Sequence, residues 1–190
     1  MRVDDPTDQS PISEAISLED RLLLIKEQGV WQVHLSDNID PDRTNAHIPN
    51  TQQKLLARGC ADALVGRTLL QARRLLKSSM LRKGFQEKAG LRVALEFLQD
   101  IDALQRAADD LATLVADTND LFLQQRETPG SLKVPAIGNI PARGKSFLQG
   151  ADHAVRSLHS LIALFYPDVR MGKGWFEKFR ARMQKAGEPF

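Results

Sequence analysis

The sequence predicts an all-α fold, a bundle of four main helices accompanied by two short ones. Three observations carry that expectation. Apolar residues recur at 3–4 spacing in four separate stretches of the 190-residue chain. The longest stretch, 91–126, contains neither proline nor glycine. No alternating run of β-branched residues, the mark of a half-buried strand, appears anywhere.

Residues 1–16 carry Pro6, Pro11 and the carboxylates Asp4, Asp5, Asp8 and Glu14, and read as a flexible acidic arm. A single α-helical domain is expected over 17–190. Ser17-Leu-Glu-Asp20 resembles a capping box that opens a first helix over 17–33, with Leu18, Leu22 and Ile25 on its face. Residues 35–50 form a long loop, since Asp40-Pro41 and Ile48-Pro49 each disfavour helix before the proline. A short helix is expected near 51–57, stopping at Gly59. A second main helix runs over 62–83 with Asp62 as its N-cap.

Helix 91–126 is the strongest prediction. Ala94, Phe97, Ile101, Leu104, Ala108, Leu111, Val115, Thr118 and Phe122 step alternately by three and four. That is a heptad seam, and it calls for partner helices. A second long connection, 127–145, is rich in proline and glycine. Ser146 is the expected N-cap of a helix over 146–166, ended by Pro167. A terminal helix over 175–186 carries Trp175, Phe176, Phe179 and Met183.

Charge is segregated beneath a net of +2. Residues 1–42 sum to −7, 54–83 to +7, 91–126 to −4 and 170–185 to +5. The central basic block either meets the acidic helix 91–126 across a hairpin rim, the reading favoured here, or converges with the basic C-terminus into a patch for phosphate backbone. The C-terminal block is the candidate binding face. Lys173, Lys178, Arg180, Arg182 and Lys185 alternate there with aromatics including Trp175, a pattern suited to nucleic acid or to a protein partner. RNA stands ahead of DNA in that reading, and a homo-oligomer or a larger assembly is expected.

Other chemistries fare worse. One cysteine, Cys60, excludes an internal disulfide and a multi-cysteine zinc site. His153 and His159 are six residues apart and point away from each other on a helix, so no metal or cofactor is expected. No export signal and no apolar run of membrane length is present, so the expected location is the cytoplasm, with no membrane contact. Asn139-Ile-Pro-Ala-Arg-Gly-Lys-Ser146 narrowly misses the phosphate-loop spacing, because Gly138 falls one residue early. Arg143, Lys145 and Ser146 remain as a weak anion site at the expected helix start. The acidic residues of 91–126, Asp102 among them, read as a solvated face. A small-ligand cleft beneath residues 35–53, walled by Trp31 and His34, is a further reading.

Two Arg/His pairs complete the candidates: Arg43 with His47, and Arg156 with His159. A cation for phosphate beside an imidazole acid or base suits metal-independent RNA cleavage. A helical bundle with polar Arg and His positions resembles the HEPN domains. That resemblance is architectural and covers residues 55–166. It implies a toxin–antitoxin or phage-defence setting, and ribonuclease activity in a dimer. The family motif places four to six residues between Arg and His. Here the separations are three and two, which matches better the inactive, RNA- or protein-binding bundles of that family. The leading expectation is therefore a non-enzymatic interaction module, with a HEPN-like ribonuclease as the alternative.

Overall fold

A computed structural model of the protein describes residues 5–18, 21–45, 47–77, 81, 85–126, 137–166 and 172–186. The architecture is mixed α and β, not all-α. Its N-terminal part is a four-stranded antiparallel meander, β1 (Glu14–Ser17), β2 (Leu22–Ile25), β3 (Val30–His34) and β4 (Thr51–Leu56), paired in sequence order. A short helix, α1 (Ser36–Ile39), lies between β3 and β4. Helices α2 (Ala63–Val65) and α3 (Gln71–Leu75) are joined by a π-helical turn over Gly66–Leu70. The long helices α4 (Glu87–Arg126) and α5 (Ile140–Phe165) follow, then α6 (Trp175–Ala186).

Two expected helices are therefore strands. The expected first helix, 17–33, is the end of β1, the whole of β2 and most of β3. Ser17 ends a strand, and the Leu18 N–H closes the turn by donating to the Arg21 carbonyl at 2.9 Å. The expected short helix at 51–57 is β4. The physical reason lies in how the meander is covered. Leu23, Ile25 and Val30 face the helices, packing with Leu56, Val65, Leu69, Leu91, Leu95 and Leu98. Leu24, Trp31 and Val33 face the other way and pack with Ile12 and Leu22. Both faces of β2 and most of β3 are buried, so LLLI is a continuous apolar run, and VWQVH buries Gln32 among apolar residues rather than alternating with solvent. Such runs are as compatible with a helix as with a strand.

The segment before β1 is fastened to the sheet by polar contacts. Asp5 accepts from the Thr7 N–H and hydroxyl and pairs with Lys54 Nζ at 2.8 Å. Asp8 accepts from the Ser10 N–H and from the Gln28 N–H at 3.1 Å. Lys26, 3% exposed, donates its ammonium to the Asp8 carbonyl oxygen. Residues 5–16 thus hold two buried carboxylates, and β1 begins within them.

Three cations of the central basic block have acidic partners outside helix 91–126, while Arg82 and Lys83 lie outside the described residues. Lys54 binds Asp5, Arg73 binds Glu14 and Arg58 binds Asp62 at 3.2 Å. These three partners come from the acidic N-terminal segment and from the helix start, where Asp62 also caps the Leu64 N–H at 2.7 Å.

The chain divides into two compact units. The first joins Met1–Gln99 to Ser157–Phe190 and contains the sheet, α1 to α3, α6 and one end each of α4 and α5. Its core includes Leu23, Ile25, Val30, Val65, Leu69 and Leu98, all fully buried. Each such burial contributes about 1.5–3 kcal/mol relative to exposure. The second unit, Asp100–Arg156, is a pair of antiparallel helical segments. Its α5 segment begins at Ile140, six residues before the expected start at Ser146. Asn139 takes a left-handed backbone (φ +63°) there, and its carbonyl accepts from the Arg143 N–H at 3.1 Å. Among the described residues, no helix is long and apolar enough to cross a membrane.

Candidate nucleic-acid interface

Helix α6 begins where glycine permits it. Gly174 adopts φ +72°, a conformation that side chains disfavour, and its carbonyl accepts from the Lys178 N–H at 3.2 Å. From there the helical period sorts the side chains. Trp175, Phe179 and Met183 recur every four residues and are half-buried. The Trp175 ring meets His159 edge-on at 5.2 Å between centroids, and Phe179 meets Tyr166 at 5.4 Å. Arg182 lays its guanidinium over the Tyr166 ring at 5.5 Å, which fixes the helix further.

Arg182 apart, the cations of the helix lie off that row, and Lys173 lies just before it. Lys173, Lys178, Arg180, Arg182 and Lys185 are all exposed. Lys178 and Lys185 are seven residues apart and therefore share a face. Glu177 is the single acidic residue of the helix. The interleaved aromatics of the sequence thus separate into an inward row and an outward charged surface. Only Phe176, 47% exposed, remains outside as a ring on which a base can stack. The arrangement presents point charges for a polyanion and little apparatus for reading bases.

The remaining candidates have partners of their own. Arg156 Nε binds Asp152 at 2.8 Å on the exposed side of α5, while His159 is packed on Trp175. Arg43, with a left-handed backbone (φ +50°), pairs with Asp37 at 3.2 Å. His47 is exposed, and its backbone N–H donates to Asn45. In the same loop, hydrogen bonds from the Asn45 N–H and from Thr44 outweigh burial and hold Asp40 below the ordinary carboxylate range. Arg143 closes the first turn of α5 and Lys145 and Ser146 lie past it, so the helix-start N–H groups expected beside Ser146 are instead at Ile140.

Trp31 sits in the packed cluster with Leu24 and Val33, with Lys54 over its ring at 5.4 Å. His34 hydrogen-bonds to Gln32. Cys60 is half-buried against the main core. Asp102 is not solvated as expected: it is 1% exposed and pairs with Arg106 at 2.8 Å. Among the described residues, no group of three or more histidine, cysteine or acidic side chains is placed to hold a metal.

One surface was missed by sequence reasoning, an open groove of about 890 Å³ between the helical segments of the second unit. Its signal was present as the heptad seam, whose outer positions line it. No protein-family model, curated protein or solved structure matches this chain.

Proposed function

We propose that this chain is a cytoplasmic, non-enzymatic interaction subunit that holds the phosphate backbone of RNA on the outer face of α6. The observation that carries the reading is the sorting of α6: Lys178, Arg180 and Lys185 are exposed off the packed row of Trp175, Phe179 and Met183, with Lys173 exposed just before the helix and Arg182 exposed beside Tyr166. Cations held on a packed helix present charge at fixed spacing, which suits counterion release from a polyanion. Engagement of Arg156 by Asp152 and of His159 by Trp175 supports retention over cleavage.

The test is fluorescence anisotropy with a labelled single-stranded RNA across a salt series. Four phosphate contacts give a slope of about −3 in log K against log salt. Lys178→Glu with Lys185→Glu is expected to abolish most binding, and Arg180→Glu with Arg182→Glu to do the same with some loss of stability through Tyr166. Absence of binding by the parent protein, or unchanged binding by both variants, refutes the proposal. RNA cleavage by the parent that disappears in His159→Ala replaces it with the HEPN-like ribonuclease.

A further inference from the structure

The second unit exposes a surface that a monomer has no use for. Along α4, the seam positions Ala108, Val115 and Phe122 are exposed, and Leu121 and Leu123 beside them are about half exposed. Along α5, every residue from 140 to 149 is exposed, and Leu148 is 69% exposed. The two helical segments approach closely at Leu104, whose Cδ2 is 3.1 Å from where a Cβ on Gly150 would lie. Away from that point they enclose the groove of about 890 Å³, lined by Ala107, Ala108, Leu111, Val115, Ala142 and Phe147.

We infer that this surface is a dimer interface, in which the helix pairs of two copies of this chain combine into a four-helix bundle. Three features select a second copy as the occupant. The apolar positions repeat in sevens on both helices, Ala108–Val115–Phe122 on α4 and Leu148–Val155 on α5. Heptad surfaces are filled by helices, and two open seams require two. The open surface is two-sided: Phe147 lines the groove together with the α4 alanines, and Leu148 lines a separate depression made of α5 residues alone. A two-fold interface presents the same pair of surfaces from both copies.

The third feature is charge. Residues 100–126 carry Asp100, Asp102, Asp109, Asp110, Asp117 and Asp120 against Arg106 and Arg126, a net of −4. Residues 140–156 carry Arg143, Lys145 and Arg156 against Asp152, a net of +2. Two copies can set the acidic helix of one beside the basic helix of the other. A partner pair of uniform sign would be repelled by one of the two. None of these residues belongs to α6, so this interface stands or falls independently of RNA binding.

Analytical ultracentrifugation of the full chain tests the inference. The expected species is a dimer of twice the 21.2 kDa chain mass. Leu148→Glu, at a position too exposed to disturb the monomer, is expected to raise the dimer dissociation constant by on the order of tenfold or more, with helical circular dichroism retained. Asp110→Lys with Asp117→Lys, and Arg143→Glu with Lys145→Glu, are each expected to weaken the homodimer. Mixing these two variants is expected to restore a heterodimer. A parent chain that stays monomeric at 100 µM (about 10⁻⁴ M, weaker than specific dimers require) overturns the inference and leaves a different helical partner as the occupant. A dimer unaffected by Leu148→Glu and by both charge reversals overturns it equally.

Discussion

Lys26, Asp8 and Asp5 show what single residues contribute here. An ammonium and two carboxylates are buried at the start of the chain, where the composition alone suggests an exposed arm. Burial pushes the Asp8 carboxyl up. The hydrogen bonds from Ser10 and the Gln28 N–H, with the Lys26 charge, outweigh that and hold it below its ordinary value of 3.8. The hydrogen bond from Lys54, then those from Thr7, hold Asp5 far below the same value. A carboxylate whose folded pKa is depressed stabilises the fold above its unfolded pKa, and that contribution is lost as pH falls through the folded value. Stability is therefore expected to be level near neutrality and to decline from about pH 4 downward. Urea midpoints measured from pH 7 to pH 2 check this. Asp8→Asn should lower the midpoint at pH 7 and flatten the acid decline.

Elements depend on one another through junctions as much as through faces. The chain leaves β4 and passes under the β2–β3 turn at Gly59. The Cys60 N–H donates to the Lys26 carbonyl at 2.9 Å, and the Ala61 N–H to that of Glu27 at 3.2 Å. A Cβ on Gly59 would overlap the Lys26 carbonyl oxygen and come within 2.5 Å of both the Glu27 oxygen and the Gly29 nitrogen. These are backbone atoms and do not swing aside. Gly59→Ala is expected to destabilise by about 1–3 kcal/mol, read as a lower urea midpoint with an unchanged slope. Elements of this molecule differed in how openly the residues announced them. The long helices were legible because their apolar period persists over many turns, and Asp62 was legible as a cap. The meander was not: cover on both faces of β2 and β3 removed the alternation that marks a strand, and β1 and β4 are short strands with few buried residues. In α6, the aromatic and basic residues were legible as a group. Their division into packed and exposed sets was not, because it depends on where Tyr166 and His159 lie.

At the scale of the whole molecule, the two units differ in how much they bury. The first holds nearly all of the buried hydrophobic residues, whereas Ala154 is the one in the second among the described residues. Local opening costs least where few apolar contacts are lost. Amides of 105–123 and 140–149 are therefore expected to exchange with deuterium well before those of β2, β3 and the 91–98 part of α4. Raising protein concentration should slow the first group selectively, since association protects only the second unit. Exchange mass spectrometry at two concentrations reads both effects. Equal protection across the chain, independent of concentration, contradicts them.

Phe85 stacks on Phe165 with ring centroids 5.3 Å apart, across eighty positions of sequence. During synthesis the meander can close as soon as β4 has emerged, since each strand pairs with its neighbour in sequence. The ring of Phe85, however, must wait while the whole intervening helix pair is translated. Chains halted before residue 157 would carry a formed sheet whose helical cover lacks Phe165, Tyr166 and α6. Emergence of residues 157–186, rather than completion of the sheet, is then the event that seals the first unit and brings its basic helix into place.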